Sequence, residues 1–277
     1  MSAEITLIEW FDDHFYKVTE DEKTYYIPSV TTKLGIIRKE GLERWRGDVT
    51  NREADLRLYD AQQRGKRIHW AWETVQLGGV VIYDPWQGPQ FSAEQVGELK
   101  KQHGAVATLR TQDEMAQLHK LQRMFKVLKP QIIAVEKKVY DLENKDAGTI
   151  DGVYWIDGGE YLIAGKKPLV LETGIYIADL KSGNFMDDNV WLQIAPYAKM
   201  FESMVEWQVA GGLVFHTGAK TKSGIEGLNT LFRPRKDLLE RDYGHYRHAA
   251  ALWERDHEDD QPKQYAFPNI ITLKEGV

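Results

Sequence analysis

The hydrophobic pattern of this sequence changes its period once, at Pro130. Upstream, apolar residues recur at helical spacing between Met115 and Leu128, whereas from Ile132 onward they alternate with polar residues. Such alternation is typical of strands that bury one face. Three strands follow, and they predict an antiparallel meander: 132–142, 149–155, and a third that begins at 161, is interrupted at 165–168 and continues over 169–181.

Helical patterns stand on both sides of this meander. The segment 41–76 is polar with helical spacing, and helices over 188–206 and 237–254 follow, with a strand over 209–216 between them. A last extended piece is expected over 270–273. The inward-facing residues expected in the first helical segment are Leu42, Trp45, Leu56, Leu58 and Tyr59. The predicted fold class is α/β (α+β), in which a central mixed sheet contains the antiparallel meander and is flanked by helices.

The length of 277 residues suits one large domain, 1–277. Within it, 1–28 predicts an N-terminal β-hairpin that Pro28 ends. The segment 78–130 predicts a helical insertion or lid. It begins with a Gly- and Pro-rich loop over 78–91 and continues with two helices, each opened by a capping box at Ser92 or Thr111.

Composition excludes several classes of site. The chain has no cysteine, which rules out disulfides, thiolate zinc sites, cysteine-ligated iron–sulfur clusters and a cysteine nucleophile. Residues 1–4 lack the basic start of a signal peptide, and no apolar run is long enough to span a membrane, so we expect a cytoplasmic protein without membrane contact. The net charge is −6, but 33–67 carries ten basic and six acidic residues, and 100–129 carries seven and two. Local positive charge of this kind suits a phosphate polymer.

The strand over 169–181 ends in a carboxylate and an ammonium, Asp179 and Lys181, which share one face because side chains alternate along a strand. A second carboxylate, Asp151, lies inside the apolar strand before it. Two carboxylates that converge at one end of a sheet need a cation or a proton, and oxygen ligands of this kind suit Mg²⁺ or Mn²⁺. The backbone carbonyl of Leu180 offers a further oxygen. These residues predict metal-assisted phosphodiester hydrolysis, with Lys181 orienting the water or stabilising the transition state.

The pattern of Asp151 followed by Asp179-Leu180-Lys181 resembles the core of the PD-(D/E)XK nuclease superfamily, and more narrowly its RecB-type branch. In that branch a histidine on an upstream helix precedes Gly-x-x-Asp, then Asp-x-Lys, then Gln-x-x-x-Tyr. The matching positions here are His69, Gly148–Asp151, Asp179–Lys181 and Gln193–Tyr197. The resemblance spans about 29–200. It departs from the family where Ile150 replaces the proline of the superfamily's name and where Pro196 lies inside the last helix, which is expected to cost that helix a hydrogen bond.

The resemblance implies a restriction-endonuclease-like core and assigns roles to residues. It implies metal ligands at His69, Asp151, Asp179 and Leu180. It implies a catalytic group of Lys181, Asp151 and Asp179, with Glu136 on the preceding strand as a further acidic participant. Substrate contacts or site-shaping positions are expected at Gln193, Tyr197, Arg64, Lys66 and Ser182. Because the chain has no cysteine, the iron–sulfur cluster of some relatives is expected to be absent.

The function expected from the resemblance is a Mg²⁺- or Mn²⁺-dependent deoxyribonuclease, an exonuclease of recombination, repair or phage DNA processing. Its expected partners are DNA, a recombination protein such as a single-strand annealing protein, and further copies of the same chain. Two alternatives stay open, which are a catalytically silent DNA-binding or scaffolding protein and an endonuclease. The complete set of Asp151, Asp179 and Lys181 favours an enzyme, since a site that has lost catalytic activity is expected to have lost one of them.

Overall fold

The N-terminal strands form a sheet of their own. The computed structural model describes residues 3–10, 13–38, 40–163, 168–218, 229–258 and 262. The predicted hairpin is one pair of a three-stranded antiparallel sheet made of β1 (Glu4–Trp10), β2 (Asp13–Glu20) and β3 (Lys23–Pro28). The third strand joins because the turn between β2 and β3 holds Asp21 and Glu22 at positive φ, the conformation of a tight hairpin turn.

Four helical segments follow, α1 (Val30–Lys33), a 3₁₀ turn (Leu34–Ile36), α2 (Glu40–Gly47) and α3 (Asn51–Gln76). The Thr50 hydroxyl accepts from the Glu53 N–H and begins α3. The C-terminal half of α3 packs into the core through Ile68, Ala71 and Trp72. The burial expected for Leu56 and Tyr59, in the N-terminal half of α3, is wrong, because these side chains are 58% and 59% exposed. Their helical spacing does not bury them because the core contacts of α3 come from its other half.

The segment 78–130 contains more regular structure than expected. It comprises β4 (Val80–Tyr83), α4 (Ala93–His103), β5 (Val106–Leu109) and α5 (Gln112–Leu128). Both predicted capping boxes are present, at Ser92 and at Thr111. The predicted loop over 78–91 is wrong at β4, which pairs in parallel with β5. A four-residue strand of this kind depends on a partner brought from elsewhere by α4, which the local sequence does not reveal.

The central sheet has five strands in the order β12-β11-β10-β7-β6. These are β6 (Gln131–Asp141), β7 (Asp146–Ile156), β10 (Gly174–Lys181), β11 (Val209–His216) and β12 (Asn229–Pro234). The strands β10 and β11 are parallel and the other pairs are antiparallel, so the predicted mixed sheet with its meander is confirmed. A small separate hairpin, β8 (Gly159–Tyr161) and β9 (Leu169–Leu171), replaces the expected start of the third strand. The expected extended segment 270–273 lies outside the described residues.

Helices cover both faces of this sheet. On one face lie α6 (Val190–Met204), a π-helical turn (Asp237–Asp242) and α7 (Tyr243–Asp256), and on the other lie α3 and α5. Along β10, Ile175 and Ile177 point to the α6 face, whereas Tyr176, Ala178 and Leu180 point to the α3 face. By this alternation Asp179 shares the face of α6. Within the described ranges, every helix is too short or too polar to cross a bilayer.

Candidate metal centre

The end of β10 is where its pairing with β7 stops. The antiparallel ladder between them ends at Ala178 and Gly152, while the parallel ladder with β11 continues to Lys181 and His216. Beyond the last β7 pair, the Leu180 N–H donates to Asp151 Oδ2 at 2.7 Å. A side chain thus takes the place of a backbone acceptor, and the Asp151 carboxylate is fixed beside the end of β10. The expected ligand role of the Leu180 carbonyl stays a prediction.

His69, Glu136 and Asp151 meet at this point. His69 Nδ1 lies 3.5 Å from Asp151 Oδ2. On β6, Val135 pairs with Gly152 and Lys137 pairs with Ile150, so Glu136 faces Asp151 across the ladder. One ligand atom from each of the three side chains lies within 4.8 Å of the other two, and all three side chains are half-buried. This group could hold a metal ion.

Glu136 has an unusual backbone for a strand residue. Its φ is +48°, in the left-handed region. A residue with a Cβ occupies that region at a cost of about 1–2 kcal/mol. The ladder between β6 and β7 also shifts its register between Ile132 and Ala134. Strained residues of this kind cluster at functional sites, where the surrounding structure holds them in place. The sequence singles out Glu136 as an acidic strand residue but gives no sign of this conformation.

Asp179 is not part of the three-residue group, although it lies next to it. It is 4% exposed, and its Oδ1 accepts from Lys181 Nζ and from Gln193 Nε2, both at 3.1 Å. Lys181 Nζ also donates to Gln193 Oε1 at 3.1 Å. The second carboxylate oxygen, Oδ2, lies 2.8 Å from Lys181 Nζ, but no described residue offers it an aligned hydrogen bond. The network holds the ammonium in place and leaves one buried oxygen available to a cation.

The expected motif residues of α6 have distinct positions. Gln193 reaches the site directly, whereas Tyr197 is 4% exposed and packs on the strand β7. A Cβ added at Gly148 would lie 2.1 Å from Tyr197 Cε1, so the glycine of the Gly-x-x-Asp motif makes room for this ring. Tyr197 is therefore buried against β7, and its expected role in shaping the site stays a prediction. Helix α6 runs through Pro196 without ending.

The three remaining expected substrate contacts lie along α3 and just beyond β10. A Cβ at Gly65 would lie 3.3 Å from Ser182 Oγ, which places Arg64 and its neighbours beside the end of β10. Arg64 Nη1 is 3.9 Å from Asp113 Oδ2, and the buried Arg64 Nε has no hydrogen-bond partner among the described residues. Lys66 is exposed, one helical turn before His69.

The charges of the centre shift the protonation of its members. Burial alone lowers the pKa of His69, but the negative charge and hydrogen bond of Asp151 outweigh burial and raise that pKa to about 9. Burial and the charge of Asp151 raise the pKa of Glu136 to about 7. Burial acts to raise the pKa of Asp151, yet His69 holds it below its usual value. Burial raises the pKa of Asp179 in spite of the opposing charge of Lys181.

These shifts indicate a group of carboxylates that needs positive charge. The raised pKa values of His69 and Lys181 favour their cationic forms, and the raised pKa of Glu136 favours loss of a negative charge. The donor set of carboxylate oxygens and one imidazole fits a divalent cation, and Asp179 Oδ2, which is ion-paired with Lys181 but has no aligned hydrogen bond from a described residue, offers a further oxygen.

Glu73 is a further acidic neighbour of the centre. Its charge contributes to the raised pKa of Glu136, which places it close to the centre. The spacing His69-x-x-x-Glu73 on α3 puts both side chains on one face of the helix, and that spacing is the signal in the sequence that points to it.

Comparison with known proteins adds no assignment. No protein-family model matches this chain, and a search of curated proteins finds no significant match. The chemistry of the site therefore has to be argued from its own residues.

Proposed function

We propose that this chain is a divalent-metal-dependent deoxyribonuclease of the PD-(D/E)XK type, with a restriction-endonuclease-like core. The observation that supports it most is the meeting of His69, Glu136 and Asp151 beside the Lys181 ammonium. The first three are a metal-ligand set, and a held ammonium next to such a set suits the anionic transition state of phosphodiester hydrolysis. The mixed sheet with helices on both faces is compatible with this core.

His69, Asp151 and Glu136 would hold Mg²⁺ or Mn²⁺, with Asp179 as a further ligand. The bound ion supplies a lowered pKa for a water molecule and charge neutralisation at the phosphate. The Leu180 N–H orients Asp151, and the amide of Gln193 orients both Asp179 and Lys181. Lys181 donates to a phosphate oxygen or to the attacking water. Arg64, Lys66 and Ser182 would contact the DNA backbone.

We further propose exonuclease action, which the resemblance to the RecB-type branch favours. The test incubates the purified protein with linear, closed circular and single-stranded DNA in Mg²⁺, Mn²⁺ or EDTA. We expect divalent-dependent cleavage of linear DNA that leaves closed circles intact. A protein with Asp151 and Asp179 both replaced by asparagine serves as the matched control for contaminating nucleases.

Two results would change the assignment. Absence of divalent-dependent cleavage on all three substrates would remove the proposed enzyme activity and favour a DNA-binding or scaffolding role. Cutting of closed circles at the rate of linear DNA would replace the exonuclease with an endonuclease.

A further inference from the structure

A groove opens between α3, α5 and the start of β6, on the face of the sheet away from α6. Its volume is about 320 Å³, and Trp72, Gln76, Phe125, Lys126 and Ile132 contribute to its lining. No part of the metal centre lines it. It is nevertheless built on the same two elements, α3 and β6, that carry His69 and Glu136.

The floor of the groove is aromatic. The rings of Trp72 and Phe125 meet edge to face at 4.5 Å, and Phe125 meets Tyr154 in the same way at 5.3 Å. Trp72 is buried, while Phe125 is half-buried and Ile132 is 44% exposed. The apolar surface that stays accessible in the groove includes that of Phe125 and Ile132, and an aromatic side chain of this kind can contact a nucleobase.

Two buried donors in the lining of the groove, Gln76 Nε2 and Trp72 Nε1, make no hydrogen bond with any described residue. Gln76 Oε1 accepts from the Tyr154 hydroxyl at 2.6 Å, which fixes the orientation of the amide. The amide nitrogen, Nε2, is buried and makes no hydrogen bond with any described residue. Gln76 Nε2 therefore offers a ligand a donor whose direction is set by the bond to Tyr154, and Trp72 Nε1 beside it is a second donor without a partner among the described residues. A buried donor without a partner is costly, and a ligand with an acceptor oxygen or nitrogen would satisfy it.

The charge and the position of the groove suit a nucleotide. The exposed Lys126 lies at its rim, on a segment where 100–129 holds seven basic and two acidic residues. Gln76 follows His69 by seven residues, which is about 10 Å along a helix. That distance equals about three stacked nucleotides of one strand at ~3.4 Å each.

We propose that the groove is a nucleotide subsite of the same active site. The base lies against Phe125 and accepts a hydrogen bond from Gln76 Nε2, and the phosphate contacts Lys126. Its role, to hold a nucleotide a few positions away from the cleaved bond, rests on the proposed nuclease function. The binding itself does not, since it needs neither a metal nor cleavage.

The experiment titrates the full chain with 2′-deoxyadenosine 5′-monophosphate in EDTA by calorimetry. We expect a dissociation constant of about 1 mM or tighter. Gln76→Glu removes the donor but keeps an acceptor for Tyr154, and Lys126→Ala removes the charge at the rim. Each variant is expected to weaken binding at least fivefold. Lys101→Ala, an exposed lysine on α4, is the matched control and is expected to bind as the parent does.

Absence of nucleotide binding, or parent affinity in both variants, would overturn the subsite. Equal binding of 2-deoxyribose 5-phosphate would overturn the base contact. A protein that binds the nucleotide but cuts no DNA would leave the subsite standing and remove only the proposed enzyme activity.

Discussion

At the scale of single residues, the pair of His69 and Asp151 sets the charge of the centre. Because Asp151 raises the pKa of His69 to about 9 against the effect of burial, Asp151→Asn is expected to bring that pKa to its ordinary 6.5 or lower. The imidazolium would then be lost as the pH rises through 6.5 instead of 9. Titration of the histidine resonances by NMR measures this, with a His69→Gln variant to assign the signal.

The matched control is Asp157→Asn, a carboxylate in the exposed turn before β8. It is expected to leave the titration of His69 unchanged. A His69 pKa that stays near 9 in Asp151→Asn would mean that another carboxylate, such as Asp179, supplies the stabilising charge.

Lys181 is the residue whose loss should separate cleavage from binding. Lys181→Ala removes the ammonium that Asp179 and Gln193 hold, so we expect the cleavage rate to fall by about 10²–10³-fold, as for other transition-state donors. DNA binding is expected to stay within a few fold, because one phosphate contact is a small part of the total. Single-turnover cleavage and filter binding measure the two effects. Lys199→Ala, an exposed lysine on α6, should alter neither, and a parent cleavage rate in Lys181→Ala would exclude Lys181 from the chemistry.

At the scale of elements, the contact of β7 with α6 aligns two parts of the site. Gly148→Ala would place a methyl group 2.1 Å from Tyr197 Cε1, so the helix or the ring must move. We expect a loss of about 1–3 kcal/mol in the free energy of unfolding and a fall in cleavage, because Gln193 lies one turn from Tyr197. Urea denaturation gives the first quantity. The control is Gly97→Ala on α4, where a Cβ meets nothing within 4 Å and the helix should gain stability.

The double variant Gly148→Ala with Tyr197→Leu separates crowding from other causes. If crowding is the cause, the smaller side chain should restore most of the stability. A double variant as unstable as the sum of the two single changes would show that Gly148 is required for another reason.

The elements show which patterns in the sequence are informative. Period and capping predicted β6, β7, α5 and α6, because these elements are long and bury one face. The four-residue β4 was missed, since its strand conformation depends on pairing with β5 across an intervening helix. The third strand of the meander is shorter than predicted. Apolar alternation does not reveal that β8 and β9 pair with each other in a separate sheet.

The same contrast holds in the candidate site. Alternation along neighbouring strands predicts that Asp151, Asp179 and Lys181 lie near one another, and the family resemblance adds His69 to this group. Three features could not be predicted. These are the left-handed backbone of Glu136, the hydrogen bonds that Lys181 and Gln193 donate to Asp179, and the burial of Tyr197. Each depends on side-chain geometry between distant segments, which spacing alone does not determine.

At the scale of the whole molecule, a buried ion cluster joins the N-terminal segment to the C-terminal helix. Lys33 is fully buried, and its Nζ lies 2.6 Å from Asp146 Oδ1 on β7 and 2.5 Å from Glu254 Oε1 on α7. The Tyr246 hydroxyl donates to the same Asp146 oxygen at 2.6 Å. The cluster therefore ties together three segments that are far apart in the chain.

Lys33→Ala should destabilise the protein by about 3–5 kcal/mol, because it leaves the Asp146 carboxylate buried without its main cation. Urea unfolding measures the loss, and Lys23→Ala, an exposed lysine at the start of β3, is expected to change stability little. The pair Lys33→Met with Asp146→Asn should recover part of the loss, since no buried charge is left unpaired. A cost below 1 kcal/mol for Lys33→Ala would mean that water or Arg247 compensates fully.

The backbone of Glu136 has a consequence for how this protein would respond to selection. Glycine adopts a φ of +48° without strain, and it would also remove a carboxylate that faces Asp151. Glu136→Gly is thus expected to raise the free energy of unfolding by up to about 1 kcal/mol while it weakens the centre. Laboratory selection for thermal stability alone is expected to retain Glu136→Gly. Selection that also requires DNA cleavage is expected to remove it. Position 136 is therefore where a trade-off between stability and activity should first become visible.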